Sequence, residues 1–212
     1  MKLEMHECHI SIGKKEILKS VNFTLEKGVF IHLKGKNGSG KTIFMESLLG
    51  FNKVSKGTRI SQFERDKICY IPDAPFFNDH ESVRDVLFAT AHFYKVKISK
   101  LYDILNHLQF DETVLFNQKV ASLSKGTKKK LELLPLFIPN INCYFLDEIM
   151  TGLDTHTLII VCARLKELNH LGKTLMITEH NHHIIDYLYH LIPSIQEVTC
   201  VNQKIIPSSS SF

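Results

Sequence analysis

Residues 35–42 read Gly-Lys-Asn-Gly-Ser-Gly-Lys-Thr, a G-x-x-x-x-G-K-[ST] pattern. Its flanks constrain the fold as much as the octet does. An apolar run, Val29–Leu33, precedes it and a helix-like stretch, Lys41–Leu49, follows. A strand that turns tightly into a helix through glycines lets consecutive backbone N–H groups converge on one anion without Cβ clashes. The start of the helix adds the positive end of its dipole. The pattern therefore predicts a loop that wraps phosphates with Gly35, Asn37, Gly38, Ser39 and Gly40. Lys41 would reach the β- and γ-phosphates, and Thr42 would offer its hydroxyl oxygen to Mg2+. A glycine-rich turn that merely starts a helix is the bland alternative, and the strand before the octet argues against it.

The rest of the chain keeps the strand-then-helix rhythm. Val21–Leu25, Ile68–Ile71, Cys143–Leu146 and Leu175–Thr178 read as further strands. The last three are nearly continuous apolar runs, which suits strands buried on both faces of a parallel sheet. Helix-like stretches are Ser82–Tyr94, Lys100–His107, Thr127–Phe137, Thr155–Asn169 and His182–Leu191. This alternation predicts an α/β fold with a mixed or parallel sheet core. No convincing buried strand falls between Pro72 and Ser124, so an inserted helical subdomain is expected over about residues 74–138. Residues 1–206 would form one domain that Glu197–Ile206 closes as a small hairpin. Residues 207–212, with four serines, are expected to be a disordered tail.

Composition excludes more than it identifies. A formal charge of +4 is too mild to imply nucleic acid, and no nucleic-acid partner is expected. Five scattered cysteines without a C-x-x-C suggest buried thiols in a reducing compartment. No secretory signal is visible, and no run approaches the roughly 18–20 apolar residues of a membrane span. Any membrane role is expected to be peripheral.

The strand-like run Cys143–Leu146 ends in Asp147-Glu148. A buried parallel strand delivers such acids at its carboxyl end, where open α/β sheets bind ligands. Asp147 is expected to hold the Mg2+ shell, through water, and Glu148 to act as general base on the attacking water. Two acids marking a strand exit into solvent is the alternative that the phosphate loop weakens.

Three further motifs narrow the class. Leu123-Ser124-Lys125-Gly126-Thr127 resembles the L-S-G-G-Q signature of ATP-binding cassette (ABC) proteins. Thr151-Gly152-Leu153-Asp154 resembles their D-loop, and Thr178-Glu179-His180 their switch-histidine loop. Order and spacing are similar to that family over about residues 3–205. The resemblance implies a P-loop NTPase with N-terminal antiparallel strands, using ATP and Mg2+. It implies that Ser124 and the Gly126 N–H face the γ-phosphate held by a second cassette in a head-to-tail dimer, expected to be a homodimer. Asp154 would bridge that interface, and His180 would contact the γ-phosphate and hold the water with Glu148. A separate membrane-spanning transporter subunit would be the partner, with the chain on the cytoplasmic, inner face of the membrane.

The chain departs from the family at several positions. Lys125 replaces a glycine of the signature and Thr127 its glutamine. Asp73 stands where a glutamine reaches Mg2+; it is shorter and charged, but could still bind metal through water. Ile12, before Gly13, replaces the aromatic that stacks on adenine, giving apolar contact without π stacking. Ile149 follows the glutamate in place of proline. Pro135 is expected to kink the helix after the signature or end it early.

Residues Glu81–Tyr94 and the Ser-Lys-Gly signature resemble single-cassette exporters, which move drugs, peptides or lipids outward. Phe76, Phe77 and Phe88 would then face a cytoplasmic helix of the partner, although core positions are as expected for Phe88. Lys128–Lys130 alone read as a solvated helix face. The alternative is a non-transporting regulatory or immunity module that binds ATP and hydrolyses it slowly. A guanine-reading N-K-x-D is missing at Asn52-Lys53, which argues against a GTPase. His6-Glu7-Cys8-His9 and the run from His180 to His183 invite a metal site, but on a strand His6 and Cys8 would share one face and His9 the other.

Overall fold

A computed structural model of the chain describes residues 2–74, 77–110 and 116–207. Two sheets share the core. The first is antiparallel and three-stranded, in the order β2 (Lys15–Glu26), β1 (Lys2–Ile12), β4 (Val54–Ser61). The second is six-stranded, in the order β5 (Ile68–Ile71), β6 (Cys143–Asp147), β7 (Thr174–Thr178), β3 (Phe30–Lys34), β8 (Gln196–Val201), β9 (Lys204–Pro207). All its neighbours run parallel except the β8–β9 hairpin, so the sheet is mixed.

Every residue of β6 and β7 is buried. Alternate residues serve two different cores, as the period of two dictates. Ile31, Leu33, Phe145 and Met176 pack toward the antiparallel sheet and helix α1 (Lys41–Leu49). Phe30, Tyr144, Leu146, Leu175 and Ile177 pack toward the helices on the other face. Those are chiefly α2 (Val83–Phe93), α3 (Ile98–His107), α4 (Lys125–Glu132), α5 (Thr155–His170) and α6 (His182–Leu191). The chain leaves the large sheet after Ile71 and rejoins it at Cys143; α2, α3 and α4 lie in the interval. Ser82 opens α2 with a capping box: its hydroxyl accepts from the Asp85 N–H while the Asp85 carboxylate accepts from the Ser82 N–H.

Several expectations need correction. The helix expected over Thr127–Phe137 begins at Lys125 and ends at Glu132, and a 3-10 turn, Leu134–Phe137, carries Pro135. Proline lacks the N–H that would continue the α ladder, so the backbone tightens instead. Pro207, assigned to a tail, pairs with Val198 as the last residue of β9; residues 208–212 lie outside the described ones. His6 and Cys8 do not share a face. Glu7 adopts φ 48 in a bulge between Met5 and Cys8, which leaves His6 exposed and Cys8 buried. All five cysteines are free and buried.

The bulge is matched across the ladder by Gly57, at φ +88. A Cβ there would collide with the carbonyl oxygens of His6 and Glu7. Gly57→Ala should therefore destabilise the fold by at least about 2 kcal/mol, from the strained φ and the backbone collision together. Thermal unfolding measures this; an unchanged midpoint would show that the bulge is dispensable.

Candidate functional site

The carboxyl ends of β3, β7 and β6 lie side by side, and each delivers one part of the site. From β3 comes the loop 35–40, which runs into α1. Gly35 has φ 152, and a Cβ there would stand 2.5 Å from the Cys200 carbonyl oxygen and 2.6 Å from Ser39 Oγ. Only glycine lets the loop pass this close under β8. The Cys200 thiol also donates to the Ser39 carbonyl at 3.1 Å. Gly40 caps α1 without a side-chain hydrogen bond, and the first turn carries no acid. The leading N–H groups of α1 are thus unopposed by a side-chain anion, as a phosphate site requires. Ser39 Oγ is buried without a hydrogen-bond partner and faces this loop.

Lys41 is nearly buried, and its Nζ donates to the carbonyls of Gly35 at 3.0 Å and Lys36 at 3.3 Å. The ammonium is therefore folded back over the loop it belongs to. Asn37 and Gly38 form the exposed crest. Ile12, 47% exposed, ends β1 at the hairpin whose Ile17 side chain approaches Gly40. The surface it offers beside the loop is aliphatic, not aromatic.

β6 delivers the two acids. Asp147 is 1% exposed. Thr42 Oγ1 donates to its Oδ2 at 2.5 Å, and the Thr178 hydroxyl donates to its Oδ1. Sequence reasoning placed Thr42 and Asp147 together but gave Thr178 no role. Its register opposite Asp147 in the β6–β7 ladder brings it there. A threonine oxygen against a buried carboxylate, at a phosphate loop, is the hard-oxygen donor set that suits Mg2+. Asp73, two residues beyond β5, is exposed, and no described hydrogen bond or ion pair joins it to that couple. It belongs to the neighbourhood through Tyr70. Burial, then the carboxylates of Glu46, Asp147 and Asp73, push that phenol up. The Tyr70 hydroxyl has no aligned partner.

Glu148 leaves the strand at φ 48, with its N–H donating to the Thr178 hydroxyl at 3.0 Å. The turn after β7 brings His180 Nε2 to 3.0 Å from Glu148 Oε1. The N–H direction does not satisfy a hydrogen bond, so the two are juxtaposed rather than locked. Glu179 Oε1 accepts from the N–H groups of His180 at 2.8 Å and Asn181 at 2.9 Å, which shapes this turn.

Ser124, Gly126 and Asp154 form a second group. The Ser124 hydroxyl caps α4, accepting from the Thr127 N–H at 3.1 Å. A Cβ on Gly126 would meet nothing within 4 Å, so that face of α4 is open. Asp154 caps α5, accepting from Thr157 N–H and Oγ1, each at 2.8 Å. Those two bonds, aided by Lys130, hold its carboxyl down to about 2. Lys130 Nζ stands 3.5 Å from Asp154 and ties the two groups' helices. The lysines read as a solvated face are instead half-buried and paired: Lys128 with Asp79, Lys129 with Glu132, Lys130 with Asp154. Among the described residues no hydrogen bond or ion pair links Ser124, Gly126 or Asp154 to the phosphate loop.

The sequence profile of the family described as "ABC transporter" matches residues 18–151. The cytochrome c biogenesis ATP-binding export protein CcmA of Reclinomonas americana is 28% identical over 187 residues, covering 84% of each chain. An ABC transporter ATP-binding protein of Listeria monocytogenes is 31% identical over 203 residues, covering 84% of this chain and 73% of its own length. Among solved structures, an ATP-binding subunit of an ABC transporter superposes with a TM-score of 0.80 at 21% identity, covering 97% of this chain and 88% of the other. The dimeric bacterial cassette MJ0796 superposes with a TM-score of 0.77 at 17% identity, covering 96% of both chains. At those identities the superpositions speak to fold alone.

Proposed function

Because the chain belongs to the ABC transporter family, as an ATP-binding and ATP-hydrolysing subunit that powers a separate membrane component, we propose that it drives export of a drug, peptide or lipid. The relative of Reclinomonas americana is an export protein by name, which supports the direction. No helix among the described residues is long and apolar enough to cross a membrane. In this reading the chain sits on the cytoplasmic side as a homodimer.

One observation carries the chemistry: Thr42 hydroxyl on Asp147, with Glu148 and His180 at 3.0 Å, all at one edge of the sheet beside the phosphate loop. Lys41 turns from the Gly35 and Lys36 carbonyls to the β- and γ-phosphates. Thr42 and Asp147 would hold Mg2+, and Asp73 is the further carboxylate that would serve it. When bound, Mg2+ neutralises charge on the transferring phosphoryl group. Glu148 takes the proton of the attacking water as its oxygen bonds to the γ-phosphorus and the bond to the bridging oxygen breaks. His180 holds that water and the γ-phosphate. Gly35, Asn37, Gly38, Ser39 and Gly40 wrap the phosphates, and Ile12 lies under the base. The test is phosphate release by the purified chain, expected to need Mg2+ and to fall to background with a chelator. Bound ATP with no release under any condition would sink the hydrolytic reading.

The second group acts across the dimer. Ser124 and Gly126 meet the partner's γ-phosphate at the open tip of α4, and Asp154 lies at the interface. Ser124→Arg should cut turnover at least about tenfold and abolish its cooperativity in ATP, by placing bulk where the two chains close. ATP titrations read this directly; wild-type cooperativity would rule out closure through α4.

Exposed aromatics on α2 support a docking face for the membrane subunit. Phe88 is 50% and Phe93 67% exposed, so the core alternative for Phe88 does not hold. Arg84 lies over the Phe88 ring at 5.6 Å and keeps it presented. Phe77 is half-buried against the core, and Phe76 lies outside the described residues. Affinity capture from detergent-solubilised membranes should recover a polytopic membrane protein, and lose it on Phe88→Asp.

A further inference from the structure

His32 is a buried imidazole on β3 that the chemistry above does not use. Its Nε2 faces the Glu179 carbonyl oxygen at 3.3 Å, in the peptide that leads into His180. Its Nδ1 lies 2.7 Å from the Tyr189 hydroxyl on α6. Tyr189 in turn donates to Glu197 Oε1 on β8 at 2.6 Å, and Lys34 Nζ holds Glu197 Oε2 at 3.1 Å. These contacts form one row from the surface ion pair to the His180 turn. We propose that His32 is a positioning residue for His180, gripping the Glu179 carbonyl only when its ring carries a proton on both nitrogens. This rests on the catalytic reading of His180.

With a neutral ring the row is one proton short. Three contacts of the row draw a proton from the imidazole or the phenol: carbonyl to Nε2, Nδ1 to Tyr189, and Tyr189 to Glu197. A neutral imidazole and a phenol bring two protons between them. The two short contacts take them, which puts the ring proton on Nδ1 and turns a bare Nε2 toward the carbonyl. The carbonyl contact is the longest of the three, as that assignment requires. A second ring proton completes the row.

The charged and titratable groups facing the ring are Tyr189 from α6, Glu197 from β8, Lys34 from β3, and Glu179 and His180 from the turn. The remaining surroundings are apolar: Ile177, Ile185, Leu188 and Ile195. Burial, the largest influence, holds the imidazole below its ordinary range. The grip therefore closes as pH falls below the usual histidine value and opens as pH rises.

Tyr189→Phe gives the decisive test, because it removes one oxygen. Without the phenol, nothing claims the proton at Nδ1, so a neutral His32 can place it on Nε2 and grip at any pH. In full-length chains with 15N-labelled histidine, His32 should carry its proton on Nδ1 in the wild type at pH 8 and on Nε2 in Tyr189→Phe. The kcat of the wild type relative to Tyr189→Phe should rise steadily as pH falls from 8 to 5, toward a limit of about three- to five-fold, the worth of one hydrogen bond, with KM for ATP unchanged. His32→Phe should lower kcat toward the same limit at pH 5 and leave it unchanged at pH 8. The same tautomer in both chains, or a kcat ratio flat with pH, overturns the proposal. If instead His180→Ala hydrolyses ATP as the wild type does, the reading of His180 falls and this role falls with it.

Discussion

Lys41→Ala should lower affinity for ATP by about 10²–10⁴ and leave no measurable hydrolysis. The side chain makes two hydrogen bonds inside its own loop, to Gly35 and Lys36, so its ammonium is already stationed over the anion site. Its gain on binding is charge-assisted contact with the β- and γ-phosphates, at about 1.5–3 kcal/mol for each such bond. Two lost bonds account for the expected factor. No other lysine of the loop can substitute: Lys36 lies on the exposed crest, away from the start of α1. Calorimetry with ATP and Mg2+ measures the loss. Undiminished affinity would refute the assignment of residues 35–42 as the phosphate loop. Lys41→Arg should also fail, because a planar fork replaces a compact point charge in a buried slot.

Glu148→Gln should slow phosphate release by about 10²–10⁴, the usual cost of losing one placed general base. Binding should survive. The backbone at Glu148 is held by its N–H to Thr178, and glutamine keeps the length and shape of the side chain at φ 48. ATP then stays intact, and the dimer it joins should persist long enough to be seen by light scattering. A Glu148→Gln chain that remains monomeric with ATP would break the link between Ser124 and a partner's nucleotide, while leaving the phosphate loop unaffected. Wild-type phosphate release would overturn the choice of base.

Legibility in the sequence followed the range of each interaction. Pro135 announced the end of α4 because a missing N–H acts on its own helix. β4 gave no apolar run to read, since its residues are exposed or half-buried and pair only as an edge of the small sheet. The bulge at Glu7 separated His6 and Cys8, which a regular strand would place on one face, and the room it needs is left by Gly57 across the ladder, far from it in sequence. Lys128, Lys129 and Lys130 looked like a solvated run until Asp79, Glu132 and Asp154 were placed around them.

Neighbouring residues were enough to specify the anion loop, the acids at the end of β6 and the alternation of strands with helices. Each depends on a few adjacent residues: convergent N–H groups, a glycine's freedom, a period of two or of 3.6. That β7 runs between β6 and β3 is a matter of long-range strand pairing. That order sets Thr178 against Asp147, brings His180 to Glu148, and lets His32 reach the carbonyl beside His180. These partners lie far apart in the chain, and no local pattern records a contact that exists only once the sheet has chosen its order.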